Sequence, residues 1–352
     1  MKIPSSLYTL WAEKNLLCKE RATSLLLEKF LKENPKMKEQ QLLNTLPFIL
    51  PEGEIHPATF KALFCTLNSR FNGSKEMRRE SLYYALPMPL TSELYRKWQD
   101  KVLKEEEKAV ATALLSASLS EAPSLAAAIQ KLPPLLEGQV HPLTLKGLFL
   151  TLANLFSTTV REVQETFTSL VPMPLDSNLY EAWAFNALTD EENTNSSILQ
   201  ESLSYPNFTD TLDAIENNLA DTVHPLTLQG LVLSLSKNYS LEKNEVQKAL
   251  SSCILTGIDS PLYTNWASTI LSKKELEASN KLFTVLNGDD LEESIDLFNG
   301  LTLDAIHPFT LHNLLMSLAS NYEDLSFDEV LGTFFSSVSM PLYSPLYTAW
   351  ES

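Results

Sequence analysis

The stretch HPLTLKGLFLTLANLF, His141 to Phe156, reads as a helix with its start signal attached. His141 stands where a cap residue belongs. Pro142 suits the first helical position, because its fixed φ is already helical and its missing N–H has no partner to lose there. Thr144, three residues after the cap, is placed to reach back toward His141 as a capping-box side chain does. Counting from His141, positions +4, +7, +8, +11 and +15 are Leu145, Leu148, Phe149, Leu152 and Phe156. That spacing is one apolar stripe on about four helical turns.

The stretch is one of four. His-Pro pairs occur at His56, His141, His224 and His307, spaced 85, 83 and 83 residues apart, each followed by its threonine at Thr59, Thr144, Thr227 and Thr310. The stripe positions are apolar in every copy, and +15 is always aromatic (Phe71, Phe156, Tyr239, Tyr322). Position +6 is Ala62, Gly147, Gly230 or Asn313. A mid-helix glycine costs ~1 kcal/mol against alanine, so a small residue there predicts close approach of a neighbouring helix.

A second motif keeps step with the first. All five tryptophans close the frame Ser-x-Leu-Tyr-x-x-Trp: Ser5 to Trp11; Ser92, Leu94, Tyr95, Trp98; Ser177, Leu179, Tyr180, Trp183; Ser260, Leu262, Tyr263, Trp266; and Ser344 to Trp350. The tryptophans lie 87, 85, 83 and 84 residues apart. The serine is positioned to cap a helix, with proline at the first turn in Pro261 and Pro345. Capping, rather than proline-directed phosphorylation, accounts for those two Ser-Pro pairs. Leu, Tyr and Trp, four and three residues apart, share one helix side, which suits them to a core between copies.

Other helices fill the gaps. Thr159 with Glu162 and Ser326 with Glu329 read as capping boxes, VPMPL (residues 171–175) breaks a helix, and SLAAAIQKL (Ser124–Leu132) reads as another. No alternating strand pattern bounded by tight turns is present. The expectation is an all-α chain: an α-solenoid-like array of four copies of ~84 residues, each about four helices in two hairpins. The copies run 1–87, 88–172, 173–255 and 256–339, with a truncated C-terminal cap at 340–352. The ~42-residue half-unit has the length of HEAT and armadillo repeats, but none of their residue patterns. Met1 falls in register with Met88, Met173 and Met340. The near-identical ends allow two readings: a truncated cap in which Leu346, Tyr347 and Trp350 seal the last stripe, or self-association of the two ends, closing a ring or joining molecules head to tail.

Composition narrows function. The formal charge is −17, and it is uneven. Residues 1–108 hold 18 Lys+Arg and 14 Asp+Glu (+4), and residues 109–352 hold 9 and 30 (−21). Such a surface repels phosphate backbones and favours a basic protein partner, so no nucleic acid is expected. No apolar run approaches the ~18 residues of a membrane span. Cys18, Cys65 and Cys253 are odd in number and far apart, and read as free, buried thiols in a reducing, intracellular compartment, although export by a non-classical signal stays open. There is no phosphate loop, zincin motif, Gly-x-Ser-x-Gly or Cys-x-x-Cys.

The expected function is a non-catalytic protein–protein interaction scaffold without cofactor or metal. The repeated His, Thr, Tyr and Trp residues hold it together, and a binding face lies in positions that differ between copies. His312 reads only as a neighbour on the last His helix. Two alternatives accompany this. Asp289, Asp290 and Glu293 in GDDLEES could hold Mg²⁺ in a helical enzyme, though the second acidic stretch, Asp190–Asn193, is a poor partner. A structural or host-directed microbial factor is the other.

Overall fold

The computed structural model describes residues 2–50, 55–219, 223–253, 256–322 and 325–351, without the side chains of 252, 253, 350 and 351. Cys253 and Trp350 as side chains, and Met1, therefore lie outside the described residues. Every regular element described is helical. In chain order the first segment holds α1 (Ser6–Asn15), α2 (Cys18–Glu33), α3 (Glu39–Ile49), α4 (Pro57–Arg70) and α5 (Lys75–Ala85). The second holds α6 (Glu93–Val102), α7 (Glu105–Ser118), α8 (Leu125–Ile129), α9 (Pro142–Phe156) and α10 (Val160–Leu170). The third holds α11 (Asn178–Ala187), α12 (Asp190–Ser202), α13 (Phe208–Asn218), α14 (Pro225–Tyr239) and α15 (Lys243–Cys253). The fourth holds α16 (Pro261–Ile270), α17 (Lys273–Leu282), α18 (Leu291–Asn299), α19 (Pro308–Asn321) and α20 (Phe327–Ser337), and α21 (Pro345–Glu351) follows. Short 3₁₀ turns lie at Pro133–Leu135 and Phe283–Asn287.

Each segment thus has five α-helices among the described residues, not four. The unforeseen helix is the one directly after the Trp helix: α2, α7, α12 and α17. Its start carries its own cap signal in Thr189–Glu192 and Ser272–Glu275, where serine or threonine and glutamate satisfy each other's backbone N–H. The expected helix over Ser124–Leu132 is only the five residues of α8, with a 3₁₀ turn after it.

The chain divides into two compact units, Met1–Pro172 with Glu181–Asn186, and Met173–Tyr180 with Ala187–Ser352. In the first unit the His helices α4 and α9 pack against α5 and α10, α3 lies on α5, α8 on α10, α7 on α9, and α6 on α4. In the second, α14 and α19 pack against α15 and α20, α13 lies on α15, α18 on α20, α12 on α14, and α16 and α21 on α14 and α19. The core is the apolar stripe: Leu63, Leu67, Leu145, Leu148, Leu152, Leu235, Leu314 and Leu318 are wholly buried. The aromatic at +15 ends the stripe half-buried. Tyr239 and Tyr322 turn their hydroxyls to the preceding helices, meeting Thr211 Oγ1 at 2.5 Å and Ser294 Oγ at 2.7 Å.

Two further expectations need correction. The neighbour that demands a small residue at +6 is not a helix but the extended strap before the Trp helix. A Cβ on Gly147 would sit 2.7 Å from Met88 O, and one on Gly230 2.9 Å from Met173 O. The strap bonds along the same place: Leu90 N donates to Gly147 O at 3.3 Å, Leu175 N to Gly230 O at 3.0 Å and Ile258 N to Asn313 O at 3.0 Å. The cysteines are the second correction, for Cys18 is exposed at the start of α2 and Cys65 is half-buried. No single helix among the described residues is long and apolar enough to cross a membrane.

Candidate functional site

The repeated polar side chains meet in pairs fixed by their helices. Each motif serine caps its Trp helix, accepting from the tyrosine N–H three residues on: Ser5 from Tyr8 at 3.2 Å, Ser92 from Tyr95 and Ser177 from Tyr180 at 3.1 Å, Ser260 from Tyr263 at 3.0 Å, and Ser344 from Tyr347 at 3.1 Å. Each histidine caps through Nδ1, accepting at 3.1 Å from Ala58, Leu143 and Leu226 N for His56, His141 and His224, and at 3.2 Å from Phe309 N for His307. Burial holds the imidazoles of His141, His224 and His307 below the usual histidine range, which keeps them neutral and Nδ1 free to accept.

The threonine does not reach back to the cap. Its hydroxyl pairs with the motif tyrosine of the same segment: Tyr8 with Thr59 and Tyr95 with Thr144 at 2.8 Å, Tyr180 with Thr227 at 2.7 Å, Tyr263 with Thr310 at 3.0 Å. A third hydroxyl joins from the unforeseen helix, Ser24 and Ser279 at 2.7 Å and Ser196 at 2.8 Å. At the matching place in the second segment stands Ala111, and there burial pushes the Tyr95 hydroxyl up to about 12. The two motifs are therefore two halves of one buried bond, joined across 47 to 51 residues of chain.

Another repeated hydroxyl escaped the sequence reading. Position +10 is Thr66, Thr151, Ser234 or Ser317, and it anchors the strap. Thr66 Oγ1 accepts from Ile3 N at 2.7 Å, Thr151 Oγ1 from Leu90 N at 2.8 Å, and Ser234 Oγ from Asp176 N at 3.2 Å, while Ser317 Oγ donates to Asp259 Oδ1 at 2.5 Å. The signal was available as a polar residue recurring inside an apolar stripe.

The acidic stretch is occupied by helix capping. Asp290 caps α18 by accepting from Glu293 N at 2.9 Å, and Glu293 Oε2 accepts from Asp289 N at 2.8 Å. Asp190 opens α12 behind the Thr189 cap. Among the described residues no three His, Cys, Asp or Glu side chains are grouped to hold a metal ion.

A cleft of about 700 Å³ lies in the second unit, walled by α15, α19 and α20, with Gln247, Lys248, Leu311, His312, Leu331 and Phe335 among its lining. It opens at position +5 of the His helix. In α9 that position is Lys146, whose buried ammonium reaches across to Tyr84 O. In α19 it is the shorter His312, whose Nε2 is buried without a hydrogen-bond partner. His312 lies on the last His helix and lines the cleft. No protein-family model, no curated protein and no solved structure matches this chain.

Proposed function

We propose that this chain is a non-catalytic protein–protein interaction scaffold, an α-solenoid-like array of four ~84-residue copies whose acidic surface in copies two to four takes a basic, intracellular protein partner. The observation that carries the reading is the division of labour among residues. The recurring tyrosines Tyr8, Tyr95, Tyr180 and Tyr263 and their threonines are buried and bonded to one another, and the recurring histidines and serines are engaged as helix caps, so recognition falls to the residues that vary, and over 109–352 those carry 30 acidic against 9 basic groups. A field of one sign attracts the opposite charge over about a Debye length, ~8 Å at physiological ionic strength.

The test is affinity capture on the immobilised full chain, read by mass spectrometry at low salt and again at ~1 M, where the Debye length falls to ~3 Å. Basic proteins captured at low salt and released at high salt are expected. Captured partners without a basic bias, or capture indifferent to salt, would overturn the electrostatic reading.

A further inference from the structure

The cleft in the second unit has a bridged counterpart in the first. Helices α5 and α15 hold one register: Leu82 and Leu250 each stand 26 residues after a cap histidine, His56 and His224, and both are wholly buried. The next residue is Tyr83 in α5 and Ser251 in α15. Tyr83 stacks on Phe60 at 4.5 Å and lies 6.4 Å from the Trp98 ring, centroid to centroid. Ser251 brings only a hydroxyl, which accepts from Trp266 Nε1 at 3.2 Å and donates to Gln247 O at 2.8 Å, and it lines the cleft. Lys146 of α9 faces α5, and at the same position of α19, five residues past the cap, stands His312. The Lys146 stem crosses the gap, and its ammonium donates to Tyr84 O in the last turn of α5. His312 packs its ring on Phe327 of α20 instead, 5.5 Å between centroids. A tyrosine and a lysine thus close in the first unit what a serine and a histidine leave open in the second.

We propose that the cleft between α15, α19 and α20 is the seat for a lysine side chain of the basic partner, which takes there the place that Lys146 takes in the first unit. This rests on the reading of a basic partner and says where one of its side chains goes. At about 700 Å³ the cleft has the size of a ligand pocket. Leu311, Leu315, Leu331 and Phe335 give it apolar walls, which suit the methylene stem of a lysine. Its polar end is the last turn of α15, where Ser251 lies. The last four carbonyls of a helix have no partner within it and carry the negative end of its dipole. Tyr84 O is a carbonyl of that kind in α5, and it is the acceptor that Lys146 uses.

Charge points the same way. Glu275 adds a carboxylate to the wall, and Asp328 stands exposed one turn before Leu331 on α20. Burial holds the His307 and His312 imidazoles below the usual histidine range, so neither sets a positive charge against the ammonium at neutral pH. Lys248, also in the wall, opposes an incoming cation. The surrounding field outweighs it: residues 256–352 carry 14 acidic and 3 basic groups. Lysine fits better than arginine, because the pattern set by Lys146 is a point charge on a single carbonyl, whereas a planar guanidinium fork suits paired acceptors.

Methyl nuclear magnetic resonance of the full chain tests this, with the peptide acetyl-Leu-Lys-Leu-amide titrated against the methyls of Leu311, Leu315 and Leu331. Saturable shifts of those methyls are expected. The norleucine analogue keeps an alkyl stem and lacks the ammonium, and is expected to bind about tenfold more weakly, the worth of one charge-assisted hydrogen bond. The arginine analogue is also expected to bind more weakly. His312→Lys supplies from α19 the side chain that α9 already has, so the chain should fill its own cleft: peptide affinity falls about tenfold while the helical melt stays at or above the parent's. Absence of shifts at the three methyls, or a norleucine or arginine peptide that binds as tightly as the lysine peptide, overturns the proposal; these comparisons are made on the parent chain and need no variant to fold. The two readings fail separately. Salt-dependent capture of basic proteins with no lysine peptide in the cleft strikes only this site, and a seated lysine peptide with captured proteins of no basic bias strikes only the scaffold reading.

Discussion

Ala111→Ser should stabilise the first unit, and the reason is a bond that three segments have and one lacks. Tyr8, Tyr180 and Tyr263 each hold a serine hydroxyl 2.7 to 2.8 Å away, 16 residues on, in addition to the threonine. Tyr95 has only Thr144, and Ala111 occupies the serine's place, itself buried. A serine Oγ there enters a site whose partner is already aimed at it. A net intramolecular hydrogen bond contributes about 1 kcal/mol, and the buried tyrosine hydroxyl, with one partner fewer, stands to gain it. In a Tyr95→Phe background the same serine buries a hydroxyl with nothing opposite, and the sign reverses, at about 1 kcal/mol or more of destabilisation. The double-mutant cycle therefore predicts a coupling of about 2 kcal/mol. Native-state hydrogen exchange of the α6, α7 and α9 amides is the fitting assay, because the chain forms two compact units and a global melt need not be two-state. Protection should rise about fivefold in Ala111→Ser and fall in the double variant. Lower protection in Ala111→Ser, or an equal gain in the Tyr95→Phe background, refutes the bonding argument.

Three further outcomes follow from the same geometry. Gly147→Ala should destabilise by about 1–3 kcal/mol despite alanine's better helix propensity, because its Cβ would sit 2.7 Å from the backbone Met88 O; a urea midpoint at or above the parent's refutes this. Trp266→Ala should cost about 3–5 kcal/mol, since the indole is fully buried and its Nε1 donates to Ser251 at 3.2 Å; exchange protection of α16 and α19 reads it. Stability should fall as pH drops below about 6.5: burial lowers the folded-state pKa of His141, His224 and His307, so the unfolded chain binds protons first, and the loss is complete once pH passes the lowered values. Glu107 and Glu80 beside His141, Glu192 beside His224 and Glu275 beside His307 oppose that shift without cancelling it. His→Asn at the three caps keeps a capping acceptor and should flatten the slope of urea midpoint against pH.

The sequence by itself determined the His and Trp helices and their starts. Ser92, Ser260, His141 and His307 act on N–H groups two or three residues away, so their capping is written in adjacent letters. The stripe at Leu145, Leu148 and Leu152 is equally local, a consequence of 3.6 residues per turn. Only the tertiary structure decided which groups meet across 47 to 63 residues: that Thr227 bonds Tyr180 rather than His224, that Gly147 yields to a strap and not a helix, and that Thr66 holds Ile3. A hydroxyl three residues past a cap has two satisfactory partners, one local and one distant, and local chemistry does not choose between them. Packing chooses, because it buries the tyrosine hydroxyl beside the threonine, where each satisfies the other. The same holds for Leu7 and Leu94, one residue type in one motif: their sequence context is shared, and only the helix that lies against each makes one surface and the other core.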